Sequence, residues 1–480
     1  MVNSTPDDGL KPIQIYSTES RRTEPFETRE PGTVSMYVCG VTVYDSAHIG
    51  HAMSLIVFDV IRRYLEHRGY RVTHAQNFTD VDDKIIARAR AQGVEPNELT
   101  ERLIAEWGRQ THALNVLPAN IYPRATQEMA SIIAIIEGLI ERGMAYEVGG
   151  DVYFRVREFA GYGKLSHRNP DDLRSGARIE IDERKEDPLD FALWKAAKPG
   201  EPTWRSPWSD GRPGWHIECS AMCLTHLGAQ IDIHGGGADL IFPHHENEIA
   251  QSEAYLGTEP FALYWVHNGL LRFDNEKMSK SLGNLVPVGD LLARGLGPAF
   301  RLMVLQSNYR APLTYSDDGL LAAERGLDRL RAAAGADFAH GDGGGTSEAP
   351  GLDSLAGDVN RRFHDAMSDD FDTPAAVAAL FDLGRAINRA RTDGQRSPAV
   401  ERARLKLLEL SGILGLELNR ESGRDAGSAD PFIDLLVSLR DRLRSEKQWS
   451  LSDHIRDELT ERGISIEDGA AGSIWSRRKS

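Results

Sequence analysis

The hydrophobic pattern alternates between two periods near the start of the chain. Residues 34–38 form a strand-like run, a turn region rich in Gly, Thr and Asp follows, and residues 53–65 carry apolar side chains at helical spacing up to Gly69. A second short strand is expected over residues 70–75. It leads into Asn77-Phe78-Thr79-Asp80, where Thr79 with Asp82 three residues on predicts a capping box opening another helix. Strands alternating with helices predict a parallel α/β sheet, in which ligands gather at the carboxyl ends of the strands.

From about residue 148 to 198 the texture changes to short strand-like pieces, such as Val152-Tyr153-Phe154, and charged loops. This predicts an insertion between the two halves of the sheet, the second half resuming near Trp215. Helical patterns dominate after about residue 286, and Gly-rich residues 341–351 and residues 420–430 have linker composition. The expected organisation is an N-terminal extension (1–33) and a Rossmann-like domain (34–285) with an insertion at about 125–214. A helical junction (286–340), a helical region with flexible linkers at both ends (341–430) and a small C-terminal module (431–480) follow. In that module residues 451–462 read as an amphipathic helix, with residues 464–466 and 473–475 as a hairpin.

A length of 480 residues implies two or three compact units. Hydrophobic residues at 41% and charged residues at 27% describe a soluble globular protein and exclude wholesale disorder. No stretch reaches the roughly 20 apolar residues of a membrane-spanning helix. The first thirty-one residues, polar and broken by Pro6, Pro12, Pro25 and Pro31, carry no signal-like run, so a cytoplasmic location without membrane association is expected. Only Cys39, Cys219 and Cys223 occur, a pattern of reduced thiols or metal ligands and not of a disulfide framework. The net charge of −16 counts against a general polyanion binder. Residues 431–480 hold nine Lys/Arg and nine Asp/Glu, so any RNA footprint is local. Trp475 beside Arg477, Arg478 and Lys479 offers a plane and cations for stacking an unpaired base, with a frayed solvated tail as the alternative.

Two motifs carry phosphate chemistry. His48-Ile49-Gly50-His51 falls between the first strand and the first helix, where free N–H groups and the helix dipole favour an anion. Gly50 permits close approach, and the two imidazoles suit oxygens that gain charge in a transition state. A His pair that merely caps a helix is the alternative. Lys277-Met278-Ser279-Lys280-Ser281, followed by Leu-Gly-Asn, reads as a mobile loop placing two ammonium groups near a departing pyrophosphate.

In this order the two motifs resemble the signatures of class I aminoacyl-tRNA synthetases. The flanks resemble cysteinyl-tRNA synthetases: Cys39-Gly40-Val41-Thr42-Val43-Tyr44-Asp45, Gly214-Trp215-His216-Ile217-Glu218-Cys219-Ser220, Asp232-Ile233-His234-Gly235-Gly236-Gly237 and His244-His245-Glu246-Asn247-Glu248. Val41 stands where the family has proline. The resemblance implies a class I Rossmann-like parallel sheet with an inserted domain, a helical anticodon-binding region and a small C-terminal module. It also implies activation of L-cysteine with ATP, transfer to tRNA(Cys), Mg²⁺ accompanying ATP, and one zinc ion on Cys39, Cys219, His244 and Glu248. The donor chemistry agrees: His244 and Glu248, four apart, project from one helical face, and two thiolates, an imidazole and a carboxylate suit zinc.

By the same resemblance His48, His51, Lys277 and Lys280 are catalytic, and His48, Gly50, His51 and Lys280 bind ATP. Thr79, Trp215, His234 and Asp239 contact substrate, and Gly235 to Gly237 let the backbone approach the nucleotide. A cap for Thr79 and a core position for Trp215 are the alternatives. Cys223 reads as an ordinary buried thiol, and His245 as a neighbour of the metal site or of ATP. A monomer is expected. Two rivals are a cysteine ligase of mycothiol synthesis, which shares the site in a shorter chain, and a non-catalytic tRNA-binding relative.

Overall fold

Four parallel strands make the central sheet, in the order Ala262–Asn268, Ile231–Gly237, Thr33–Thr42, Arg71–Thr79. The computed structural model describes residues 9–172, 184–273, 276–277, 285–335, 351–395, 397–418, 430–469 and 472–477. The chain divides into two compact units, Met1–Leu418 and Asn419–Ser480.

Helix Ile49–His67 connects strands Thr33–Thr42 and Arg71–Thr79 and is buried almost all round, through Met53, Ile56, Phe58, Ile61 and Leu65. A stripe that wide is the mark of a helix covered on more than one side. Its Phe58 reaches the sheet at Gly235, where a Cβ would stand 2.3 Å from the ring. The glycine run read as an approach for nucleotide therefore also makes room for this helix.

The first strand is longer than its hydrophobic run and carries Cys39 inside it, with a register shift against its neighbour between Val38 and Val41. At Gly40 a side chain is impossible, since a Cβ would lie 1.7 Å from the Asn77 carbonyl oxygen. The expected capping box at Thr79 is corrected. Thr79 ends strand Arg71–Thr79, paired with Thr42, and the next helix, Asp83–Gln92, is capped by Asp82, whose carboxylate accepts the Lys84 N–H at 2.8 Å. A residue whose backbone is committed to a ladder cannot also open a helix; Asp82, in extended backbone beyond the sheet, does.

Between the second and third strands in sequence lies a five-stranded antiparallel sheet, in the order Ala145–Val148, Asp151–Phe154, Phe191–Ala196, Asp210–Pro213, Trp204–Arg205. Farther on, helices Asp317–Ala334, Leu352–Ser368, Thr373–Thr392 and Pro398–Ile413 pack together, and Leu327, Phe363, Leu383 and Leu407 join the same core as Val57 and Ile61 of the first helix. Asp370 fastens this part to the sheet side. Its carboxylate accepts the Tyr16 N–H (2.8 Å), the Tyr309 hydroxyl (2.8 Å) and Arg310 Nε (2.9 Å).

The C-terminal unit has helix Asp430–Ser445, which the sequence reading did not name, then helix Trp449–Glu461 and an antiparallel hairpin of Ile464–Gly469 and Gly472–Arg477, at the places expected for them. Ile433, Val437, Leu459 and Ile464 form its core, with Trp475 packed against it. Trp475 Nε1 donates to Asp434 at 2.7 Å, so the indole is tied into its own unit. Arg478 and Lys479 lie outside the described residues. Among the described residues no helix is long and apolar enough to cross a membrane.

Candidate active site and its metal-ligating cluster

Four segments converge on one buried point. Strand Thr33–Thr42 brings Cys39, helix Trp215–Leu227 brings Cys219, the irregular turn Ile241–His245 brings His244, and helix Glu246–Leu256 brings Glu248. From Cys39 Sγ the distances are 3.7 Å to Cys219 Sγ, 3.6 Å to His244 Nε2 and 3.4 Å to Glu248 Oε1; His244 Nε2 lies 3.0 Å from Glu248 Oε1. The sulfurs are free thiols, far beyond the roughly 2.05 Å of a disulfide. His245 is drawn into the same cluster: Cys39, His244, His245 and Glu248 each offer a donor atom, all within 4.8 Å of one another. Its ring is also committed elsewhere, Nδ1 lying 2.7 Å from His267 Nε2.

A second layer fixes the donors. His234 Nε2 holds Glu248 Oε2 at 2.9 Å, which leaves Oε1 for the cluster, and His216 Nδ1 meets His244 Nδ1 at 2.9 Å, which turns Nε2 inward. Orienting partners of this kind set the geometry and tautomer of metal ligands. His234 itself stacks on Trp265, ring centroids 4.3 Å apart. The expected substrate contact at this position thus has a second occupation, holding Glu248.

The electrostatics are those of a site built around positive charge. Burial opposes the Glu248 carboxylate, but His234 and His244 outweigh it and hold its pKa well below the usual range. Burial likewise opposes a charged His244, yet Glu248 and Cys219 raise the imidazole to about 10. The hydrogen bond from Cys39 lowers the Cys219 thiol to about 6 against its burial. Burial and the same pairing push Cys39 up. His216 stays neutral, lowered by burial and then by His244. Cys223, fully buried, is raised chiefly by burial and has no bond to the cluster.

Trp215 is 37% exposed and stacks on His244, with centroids 4.3 Å apart and planes 25° apart. A core aromatic would be covered; this one lids the cluster. Thr79 is buried beside the cluster's neighbours: it accepts from Asn77 Nδ2 at 3.4 Å and hydrogen-bonds to Glu218, whose pKa burial raises well above the usual range. Asp239 is exposed just beyond the glycine strand, its Oδ1 set 2.6 Å from where a Cβ on Gly237 would be.

His48 and His51 sit at the start of helix Ile49–His67, where His48 is the N-cap. Their rings stack at 3.7 Å and 19°, and the His48 N–H points to His51 Nδ1 at 3.4 Å. The pair thus caps the helix at the N-terminus where the phosphate contact is expected, with Gly50 lying between them. Lys277 lies in the short strand Glu276–Lys277, its backbone paired with Arg272. Lys280 lies outside the described residues. Sequence reasoning missed His216, His267, Glu218 and Trp265, which touch the site only through tertiary contact. The adjacency of Trp215-His216 to Cys219 was the one signal available.

Residues 25–325 match the family model for the tRNA synthetases class I (C) catalytic domain, and residues 362–419 match the DALR domain. A cysteine–tRNA ligase of Dehalococcoides mccartyi is 54% identical over 466 residues, covering 96% of this chain and 99% of its own length. A cysteine–tRNA ligase of Alkalilimnicola ehrlichii is 50% identical over 472 residues, covering 97% and 100%. Among solved structures, Mycobacterium tuberculosis methionyl-tRNA synthetase in complex with methionyl-adenylate is similar with a TM-score of 0.56, over 80% of this chain and 89% of that one. At 18% identity that likeness speaks for the fold alone. The chain belongs to the cysteine–tRNA ligase family of class I tRNA synthetases.

Proposed function

We propose that this chain activates L-cysteine with ATP and transfers it to the 3′ end of tRNA(Cys), with zinc on Cys39, Cys219, His244 and Glu248 selecting the thiol. The carrying observation is metric. A tetrahedral zinc with bonds of about 2.3 Å to sulfur and 2.0–2.2 Å to nitrogen and oxygen has edges of roughly 3.8 Å between two sulfurs and roughly 3.6 Å between sulfur and nitrogen. The observed separations are 3.7 Å and 3.6 Å. Bound there, zinc supplies a Lewis acid that lowers a thiol's pKa and takes thiolate in preference to a hydroxyl. This answers a recognition problem that packing does not, since shape alone separates near-isosteric side chains only about 10²-fold.

The chain's own residues do the rest. The cysteine carboxylate attacks the α-phosphorus of ATP and pyrophosphate leaves with Mg²⁺; a tRNA ribose hydroxyl then attacks the acyl carbon and AMP leaves. His48 and His51, at a helix N-terminus, meet the phosphate oxygens, and Lys277 and Lys280 neutralise the departing pyrophosphate. Trp215 closes over the small substrate. Thr79 and Asp239 border its polar end, and the helices after residue 310 face the tRNA.

The test is charging of total tRNA with labelled cysteine, serine competing. Charging by cysteine alone supports the reading. Cysteine-dependent release of pyrophosphate with no charged tRNA would favour the amine-ligating relative instead.

A further inference from the structure

Among the described residues, the short strand Glu276–Lys277 pairs with strand Leu271–Phe273 alone, Arg272 opposite Lys277 and Phe273 opposite Glu276. Strand Leu271–Phe273 lies in turn parallel to Leu313–Tyr315, with Leu271 beside Leu313 and Phe273 beside Tyr315. The backbone at Lys277 is thus placed by whatever fixes residues 309–315.

The mount is fastened where the chain leaves the central sheet. Strand Ala262–Asn268 runs into Gly269, whose N–H donates to the Tyr309 carbonyl at 2.7 Å, and the Leu313 N–H donates to the Leu270 carbonyl at 3.1 Å. A Cβ on Gly269 would lie 2.2 Å from the Ala311 carbonyl oxygen, so the two backbones touch with no room for a side chain.

One carboxylate grips the other side of this segment. Asp370 Oδ1 accepts the Tyr309 hydroxyl and the Tyr16 N–H, each at 2.8 Å, and Oδ2 accepts Arg310 Nε at 2.9 Å. Tyr309 is 5% exposed and Asp370 6%, a setting in which hydrogen bonds to a charged acceptor are strong. Asp370 belongs to the turn between helices Leu352–Ser368 and Thr373–Thr392, inside the residues that match the DALR domain. Its φ of 53° is a costly conformation for a non-glycine residue, and it aims the carboxylate at three donors from two distant segments.

We propose that Asp370 is a positioning residue for the ATP step: through Tyr309 and Gly269 it holds the strand pair that presents Lys277. A turn of the helical region thereby sets the place of a group that meets the departing pyrophosphate. The inference rests on the synthetase reading and on Lys277 acting at pyrophosphate.

Tyr309→Phe tests it in the full chain, because it removes the hydroxyl but keeps the ring and the carbonyl that accepts from Gly269. Amide hydrogen exchange at residues 269–273 and 313–315 is expected to speed up about 10-fold, the worth of a bond to a charged group, while residues 246–256 keep their protection. Cysteine-dependent ATP–pyrophosphate exchange is expected to lose about 10-fold in kcat with the KM for cysteine unchanged. Single-turnover transfer from preformed cysteinyl-adenylate to tRNA keeps its rate, since pyrophosphate has already left. Asp370→Asn tolerates the left-handed backbone and retains Oδ1, but turns an amide toward Arg310. It is expected to show the same step-selective loss at about 3-fold, because the Arg310 side chain is 39% exposed. Equal slowing of activation and transfer would reduce Asp370 to a prop for the fold and overturn the proposal. So would an unchanged kcat for exchange in Tyr309→Phe despite lost protection. Absence of cysteine-dependent exchange in the unaltered protein would sink the synthetase reading, and this proposal with it.

Discussion

Cys39 Sγ and Cys219 Sγ stand 3.7 Å apart, although 180 residues separate them in the chain. Two buried sulfurs meet at a tetrahedral edge length because strand Thr33–Thr42 and helix Trp215–Leu227 aim them at one point, with His244 and Glu248 completing the set. Removing one donor breaks that set. Cys219→Ala is expected to bind zinc more than about 100-fold more weakly, whereas Cys223→Ala, one helical turn away and unbonded to the cluster, keeps one zinc per chain. Metal analysis after equilibration with a chelator of known affinity reads both. Equal zinc content in the two variants would contradict the assignment.

The hydrogen bond from His234 Nε2 to Glu248 Oε2 gives a subtler test. His234→Ala leaves all four donors in place but frees the carboxylate to rotate. A loss of about 10- to 100-fold in zinc affinity is expected, the usual cost of deleting a ligand's orienting partner. Unchanged affinity with impaired cysteine binding would return His234 to a role toward substrate alone.

Arg301 is 1% exposed and ion-paired to Asp59 of the signature-bearing helix, while also donating to the carbonyls of Leu114, Asn115 and Leu414. Arg301→Leu strands those acceptors. Asp59 keeps Arg63 at 2.8 Å and the Leu117 N–H at 2.8 Å, which places the expected destabilisation near the lower end for a broken buried pair, about 3 kcal/mol. The urea midpoint of the purified variant measures it; a shift worth less than about 1 kcal/mol would refute the estimate.

His74 supplies a pH dependence away from the metal cluster. Burial, and next the nearby Arg62, lower its pKa from 6.5 to about 3, and neither ring nitrogen has a partner among the described residues. Unfolded, the ring takes up a proton near 6.5; folded, it resists until about 3. The stabilisation is therefore complete above pH 6.5 and is lost as pH falls toward 3, at on the order of 1 kcal/mol per pH unit. His74→Gln is expected to lose less stability than the unaltered chain between pH 6.5 and 4. Parallel denaturation curves for the two proteins would contradict this.

Periodicity alone was enough to read the strand, loop and helix around His48, and the hairpin near residues 464–477, because each is set by contacts close in sequence. Thr79 and Asp82 show where local reading fails. The spacing matched a capping box, but the ladder pairing of Thr79 with Thr42 is a long-range event that removes Thr79 from the helix start. The four proposed donors were legible because each sits in a distinctive motif. Their orienting partners were legible only in part: His234 stands in the glycine-run motif, which reads toward substrate, and the bond from His216 to His244 spans packed elements, with adjacency to Trp215 as its one local signal. The same holds at Asp370 and Phe371, two non-glycine residues at φ 53°, a conformation held by the hydrogen bonds of Asp370 and the burial of Phe371 in the core.

The central claim is that the substrate thiol is read by zinc at the Cys39–Cys219–His244–Glu248 cluster. Zinc-edge X-ray absorption on the full protein, with and without cysteine, tests it most directly. The account predicts two sulfur scatterers at about 2.3 Å in the free protein and three with cysteine bound, with no change on adding serine. A zinc environment that cysteine leaves unaltered would contradict it.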